Sequence, residues 1–147
     1  MIMQINIICV GKLKEGYLQS AAAEYVKRLA PYAKLKIYET PESNLDKEAQ
    51  GLLKLAPKGH NIALDIKGKA LSSEGFARYI EGLGIDGKSS INFFIGGSVG
   101  LSEELMRGCP LRLSFSKMTF THQWARVILL EQVYRAFKII NNEPYHK

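Results

Sequence analysis

Hydrophobic and polar positions alternate with two different periods along this chain, and the switches between them mark out the elements. Residues 3–10 alternate with a period of two, placing Ile5, Ile7 and Cys9 on one face of a strand that Gly11 ends. Over 15–30 the period lengthens. Leu18, Ala21, Ala22, Tyr25 and Leu29 fall on one helical stripe, and Pro31 stops it. Residues 34–39 alternate again as a second strand. Ser43 or Asn44 then caps a helix over 45–56 that carries Leu45, Ala49, Leu52 and Ala56 on one side. The apolar run 61–66 reads as a buried parallel strand, with Lys67, Gly68 and Lys69 as the turn after it. Ser72 or Ser73 caps a helix bearing Phe76, Ile80 and Leu83, and a strand follows at 90–95. Ser102, with Glu103 and Glu104 behind it, opens a short helix that ends near Gly108. Leu111, Leu113 and Phe115 alternate in a fifth strand, a polar run covers 116–122, and a long helix starts at Trp124.

Strands and helices thus alternate five times. The pattern predicts an α/β fold, a mostly parallel sheet with helices on both faces, in one domain spanning 1–147. Val127, Leu130, Tyr134 and Phe137 form one stripe of the last helix, and Ile128, Leu129, Val133 and Ile140 widen it. A helix apolar on most of its circumference is either central or part of a subunit interface, and the interface is the reading favoured here.

Composition narrows the function classes. The 147 residues carry a net charge of +6, which favours a polyanionic partner such as RNA. Two cysteines, Cys9 and Cys109, make neither a disulfide framework nor a zinc pattern, and His60, His122 and His146 do not stand at ligand spacing, so no metal is expected. The sequence shows no signal peptide and no apolar run near the ~18 residues a membrane span needs. A cytoplasmic location is the expectation.

Two corners hold the candidate chemistry. Gly96-Gly97-Ser98-Val99-Gly100 has the spacing of a hydrolase nucleophile elbow. Against that reading, no aspartate follows Ser98, and Glu131 with His146 would pair a helix with a chain end. The alternative is that Gly96 and Gly97 let a flat ligand approach the strand end; a tight turn needing positive φ is the plain structural reading. Leu64 and Asp65 end a parallel strand and wall the same space or simply pack in the core. In the loop after the fifth strand, the hydroxyls of Ser116 and Thr119 suit the edges of an adenosine, and Met118 and Phe120 suit its ring faces. Lys117 and His122 stand at the rim. A solvated loop is the competing reading.

LSFSKMTFTHQ, followed by RVILLEQVYRAFKI and the terminal EPYHK, resembles the SPOUT-superfamily methyltransferases that modify pseudouridine in bacterial 23S ribosomal RNA. VGKLKEGYLQSAAAEYVKRLAPY, GKALSSEGFA and FFIGGSVGL are similar to the same family, so the likeness covers essentially the whole chain. The resemblance implies a C-terminal trefoil knot, S-adenosylmethionine bound within it, a homodimer, and methylation of N3 of a pseudouridine in ribosomal RNA of the large subunit. It further implies cofactor contacts at Leu64, Gly96, Phe115, Ser116, Lys117, Met118, Thr119 and Phe120. His122, Tyr145 and His146 are the candidates for catalytic roles, the last two acting at the partner subunit's cofactor site. Lys12, Lys14, Arg112, Lys117 and Arg126 are the candidate RNA contacts. Thr121 stands where the family often has proline, and Lys147 where arginine is common. Transfer RNA as substrate and a non-catalytic RNA- or nucleotide-binding module are the alternatives.

Overall fold

The structure, a computed structural model, describes residues 2–145. His146 and Lys147 lie outside the described residues. The elements are β1 (Met3–Val10), α1 (Gly16–Leu29), β2 (Ala33–Thr40), α2 (Leu45–Leu55), β3 (His60–Ala70), α3 (Ser73–Ile85), β4 (Ser90–Ile95), α4 (Glu103–Arg107), β5 (Leu111–Ser114) and α5 (His122–Ile140). All strand pairs are parallel, in the order β2-β1-β4-β3-β5.

Alternation along each strand sends side chains to two cores. Ile5, Ile7 and Phe93 pack with Leu18 and Leu29 of α1, Phe76 and Ile80 of α3, and Leu129, Leu130 and Val133 of α5. Ile8, Val10 and Phe94 meet Leu52 of α2 and Leu105 of α4 on the other face. Each fully buried Leu, Ile or Phe contributes about 1.5–3 kcal/mol by leaving water. Helices therefore cover both faces, as the alternation predicts. Asn44, Ser72 and Ser102 are the side-chain caps of α2, α3 and α4, accepting from Lys47 N, Gly75 N and Leu105 N.

Near the N-terminal ends of the strands the α2 face carries a row of amides, Asn6 and Asn92 fully buried and Asn61 partly so. Asn6 pairs in register with Asn92, and Asn92 with Asn61. Asn6 Nδ2 donates to Asn92 Oδ1 at 2.9 Å, and Asn92 Nδ2 donates to Asn61 Oδ1 at 3.0 Å and to Pro57 O at 2.7 Å. An unpaired buried amide costs about 1–3 kcal/mol, so a one-residue slip that separated these groups would be penalised.

Three expectations need correcting. First, β3 does not turn back at residues 67–69. Leu64 and Lys69 both lie opposite Leu113, so residues 65–68 bulge out and the strand resumes to Ala70. Gly68 makes this possible, since a Cβ there would run into the carbonyl of Arg112. Second, α5 begins at His122. Thr121 caps it, accepting from Trp124 N at 3.3 Å, so the polar run is shorter by a turn's start. Third, the apolar stripe of α5 is not an open interface. Val127, Leu129, Leu130, Val133, Tyr134 and Phe137 are all buried within the chain, because α5 lies on the sheet between α1 and α3. What α5 leaves exposed is its first turn, where Trp124 is 46% accessible beside Tyr17 of α1 at 62%, ring centroids 6.0 Å apart.

Candidate active site

The C-terminal ends of β3, β4 and β5 open into a cavity of about 550 Å³, within the range that takes a drug-sized ligand. Leu64, Asp65 and Ile66 wall it from β3 and its bulge, and Ile95 with the glycine corner from β4. Leu113, Phe115, Ser116, Met118, Thr119 and Phe120 close it from β5 and its loop. Thr121, His122 and Ala125 complete it from the start of α5. Residues more than fifty positions apart thus converge because three adjacent parallel strands end at one level.

Local hydrogen bonds set the shape of the walls. Ser114 Oγ lies 3.0 Å from Ile66 O and 3.1 Å from Ser116 O, so its donated hydrogen ties the β3 bulge to the loop after β5. Ser116 Oγ accepts from Met118 N at 2.9 Å, folding that loop into a side-chain-closed turn. In the corner after β4, Gly100 N donates to Gly97 O at 3.0 Å, and Gly100 has φ of +77°. A Cβ on Gly96 would strike the Gly100 carbonyl, and one on Gly97 would press on Val10 at 3.0 Å. The corner's own packing thus requires glycine at 96 and favours it at 97, both of which line the cavity, and the positive φ falls on Gly100.

Of the expected cofactor contacts, Leu64, Gly96, Phe115, Ser116, Met118, Thr119 and Phe120 all line the cavity, whereas Lys117 is exposed outside it. His122 lines it too, and its Nε2 is buried without a hydrogen-bond partner. A buried orphan nitrogen beside an open cavity suits a ligand group that completes the bond. Sequence reasoning missed Ala125 and Thr121, since it began α5 at Trp124. A smaller cavity of about 200 Å³ adjoins the first and shares Leu113, Phe115 and Phe120 with it. Ser73 Oγ, at its edge, donates to Gln132 Oε1 at 2.8 Å.

Tyr145 stands apart. Its ring packs edge-on against Tyr134 at 4.9 Å, its hydroxyl lies 3.3 Å from that of Tyr25, and the Arg135 guanidinium sits over it at 4.7 Å. Burial first, then the hydrogen bond with Tyr25, pushes its phenol up to about 12. Helix α5 separates this cluster from His122 by roughly 18 Å at 1.5 Å per residue, counted from His122 to Tyr134.

The expected RNA contacts also divide. Lys12, Lys14 and Lys117 are exposed, and Gln123 of α5 accepts from Lys14 N at 3.1 Å, which holds the loop after β1 beside the start of α5. Arg112 is engaged by Glu103 at 2.8 Å. Arg126 is no RNA contact. It is 4% exposed, and both terminal nitrogens bond Glu39 Oε2. Ser98 lies on the exposed corner and shares no hydrogen bond with His122 or with a carboxylate among the described residues, so a hydrolase relay has no basis in the geometry. No three His, Cys, Asp or Glu side chains gather as metal ligands among the described residues, and no helix there is long and apolar enough to cross a membrane.

Comparison with known proteins agrees with this architecture. Residues 3–146 match the family described as predicted SPOUT methyltransferase. Ribosomal RNA large subunit methyltransferase H 1 of Clostridium perfringens is 50% identical, over 99% of this chain and 100% of that protein. Among solved structures, a probable methylase family protein from Haemophilus influenzae superposes with a TM-score of 0.62 at 16% identity, over 100% of this chain and 72% of that one. The SpoU methyltransferase AviRb from Streptomyces viridochromogenes, in complex with the cofactor AdoMet, gives 0.54 at 12% identity, over 97% of this chain and 60% of that one. With both its length and its fold accounted for in this way, the chain belongs to the SPOUT methyltransferase family.

Proposed function

We propose that this protein is a cytoplasmic, homodimeric enzyme that uses S-adenosylmethionine to methylate N3 of a pseudouridine in large-subunit ribosomal RNA. The observation that carries the reading is the cavity at the ends of β3, β4 and β5. It is large enough for the cofactor, has largely apolar walls, and is lined by His122, whose Nε2 is buried without a partner. The substrate follows from the name carried by a relative that matches this chain at half of all positions along its full length. The trefoil knot belongs to the same reading, and the placement of β5 beyond β3 after β4 is compatible with it.

The bound cofactor would supply an electrophilic methyl group on a sulfonium. The protein's part is to bind and orient. Leu64, Gly96, Phe115, Ser116, Met118, Thr119 and Phe120 hold the adenosine, with Leu64, Ile95, Leu113 and Phe115 excluding water from the reacting atoms. His122 Nε2 completes a hydrogen bond to a ligand in the cavity. Lys12, Lys14 and Lys117 hold the RNA phosphates around the cavity mouth.

The tail serves the partner's cavity. Tyr145 is anchored at the far end of α5 from His122, too distant to act on its own chain's site. The exposed Trp124 and Tyr17 lie near the cavity end and suit a subunit contact there. Calorimetric titration tests the core of the reading: one S-adenosylmethionine should bind per chain, and no binding would overturn it.

A further inference from the structure

Among the described residues that line the cavity, Asp65 is the sole carboxylate, and no lysine or arginine lines it with Asp65. Its Oδ1 accepts from Lys67 N at 3.1 Å, a side-chain turn within the 65–68 bulge that orients the carboxylate without neutralising it. Arg112 senses the charge of Asp65, but its guanidinium is gripped by Glu103 at 2.8 and 3.4 Å. Lys67 is exposed on the outside of the bulge. Elsewhere the walls are aliphatic, aromatic, thioether, hydroxyl or glycine, apart from His122. Asp65 is half-buried, and a carboxylate partly shielded from water interacts with a charged ligand more strongly than a fully solvated one.

We propose that Asp65 is a specificity residue that favours the cationic methyl donor over its neutral product. This rests on the reading of the cavity as the S-adenosylmethionine site. In the transfer, the bond from sulfur to the methyl carbon breaks and its electron pair stays on sulfur. The new bond forms from the N3 lone pair, and the N3 proton leaves to solvent. The donor is a sulfonium with one positive charge; the product, S-adenosylhomocysteine, is a thioether with none at that atom. Asp65 attracts the first through that charge and not the second. Each turnover therefore removes an attraction, which promotes exchange of product for fresh donor.

A purely structural Asp65, serving only to close the turn, makes a different prediction. Asp65→Asn keeps an oxygen for Lys67 N and removes the charge. Calorimetry on the wild-type and Asp65→Asn proteins should compare S-adenosylmethionine, S-adenosylhomocysteine and sinefungin, whose protonated amine replaces the sulfonium. The substitution should weaken S-adenosylmethionine and sinefungin about fivefold, the size of one partly solvated charge pair, and leave S-adenosylhomocysteine unchanged. An equal change for all three ligands would overturn the inference, because Asp65 would then act on the shared adenosine or on the turn alone. A measurement on the wild type alone guards against a variant that fails to fold: sinefungin should bind more tightly than S-adenosylhomocysteine, and equal or weaker binding would overturn the inference. A wild-type protein that binds none of the three would instead remove the cofactor reading of the cavity and this inference with it.

Discussion

Arg126 on α5 clasps Glu39 on β2 with both terminal nitrogens, Nη1 at 2.7 Å and Nη2 at 2.6 Å, and Nη1 also lies 2.9 Å from Cys9 Sγ. The contact joins the last helix to the edge strand across 87 positions of sequence. Arg126 is almost fully buried, while the Glu39 side chain keeps 34% of its surface. Removing the arginine leaves a carboxylate without its partner and a cavity beside the thiol. Arg126→Ala should therefore lower stability by about 2–4 kcal/mol, toward the lower end because Glu39 can reach water. Denaturant unfolding checks this, and a loss under 1 kcal/mol, of the order of an exposed pair, would show that the clasp contributes little.

The glycine corner gives a contrast within one protein. A methyl group at Gly96 meets the Gly100 carbonyl, so Gly96→Ala must open the corner and distort the cavity wall. The expected cost is about 1–3 kcal/mol, with weakened cofactor binding. At Gly82, inside α3, a Cβ meets nothing within 4 Å. Gly82→Ala should instead stabilise by about 0.5–1 kcal/mol, since alanine is the better helix former. Thermal unfolding of the two variants side by side should move in opposite directions; a harmless Gly96→Ala would mean the corner is slack.

Much of the fold was legible because β1, β2 and β4 alternate or run apolar between turn residues, and because Asn44, Ser72 and Ser102 announce their helices. The bulge after Leu64 was not legible. Lys67-Gly68-Lys69 has the composition of a turn, and only the approach of Arg112's backbone shows that the strand resumes. The burial of Arg126 was hidden for a related reason: its partner Glu39 comes from the second strand, 87 positions away, and nothing in local pattern links the two. At the site, the glycine corner and the 115–120 loop drew attention by their residue types. His122 was seen as a rim group, whereas the start of α5 at that residue sets it in the cavity wall.

Tyr145 links the tail to pH. Its phenol lies at about 12 in the fold, above the ordinary value near 10 for an unfolded tyrosine. A group raised in this way contributes stability below the unfolded value and loses it as pH climbs through the folded one. Docking of Tyr145 should hold below about pH 10 and fade between about 10 and 12. An ultraviolet titration of wild type against Tyr145→Phe should show the missing transition near 12, and Tyr25→Phe should move it downward. A transition at the ordinary value would mean that the ring is not docked.

The exposed aromatic pair carries the dimer proposal. Trp124 and Tyr17 form an apolar patch near the start of α5 that the other described residues leave uncovered. Sedimentation should find a dimer at micromolar concentration, and Trp124→Glu should weaken it about tenfold or more, the equivalent of at least 1.4 kcal/mol. A wild-type monomer across that range, active on its substrate, would sink both the interface and the tail's action in trans.

The central claim is methyl transfer to pseudouridine in large-subunit ribosomal RNA, and nucleoside mass spectrometry addresses it directly. Ribosomes from a strain lacking the gene would be incubated with the purified protein and S-adenosylmethionine, and their RNA digested and analysed beside transfer RNA treated in the same way. The account predicts a gain of one methyl group on a pseudouridine of the large-subunit RNA, with the methyl on N3 and none added to transfer RNA. A ribosomal RNA that stays unmethylated under these conditions, or a methyl group found only on transfer RNA, would contradict it.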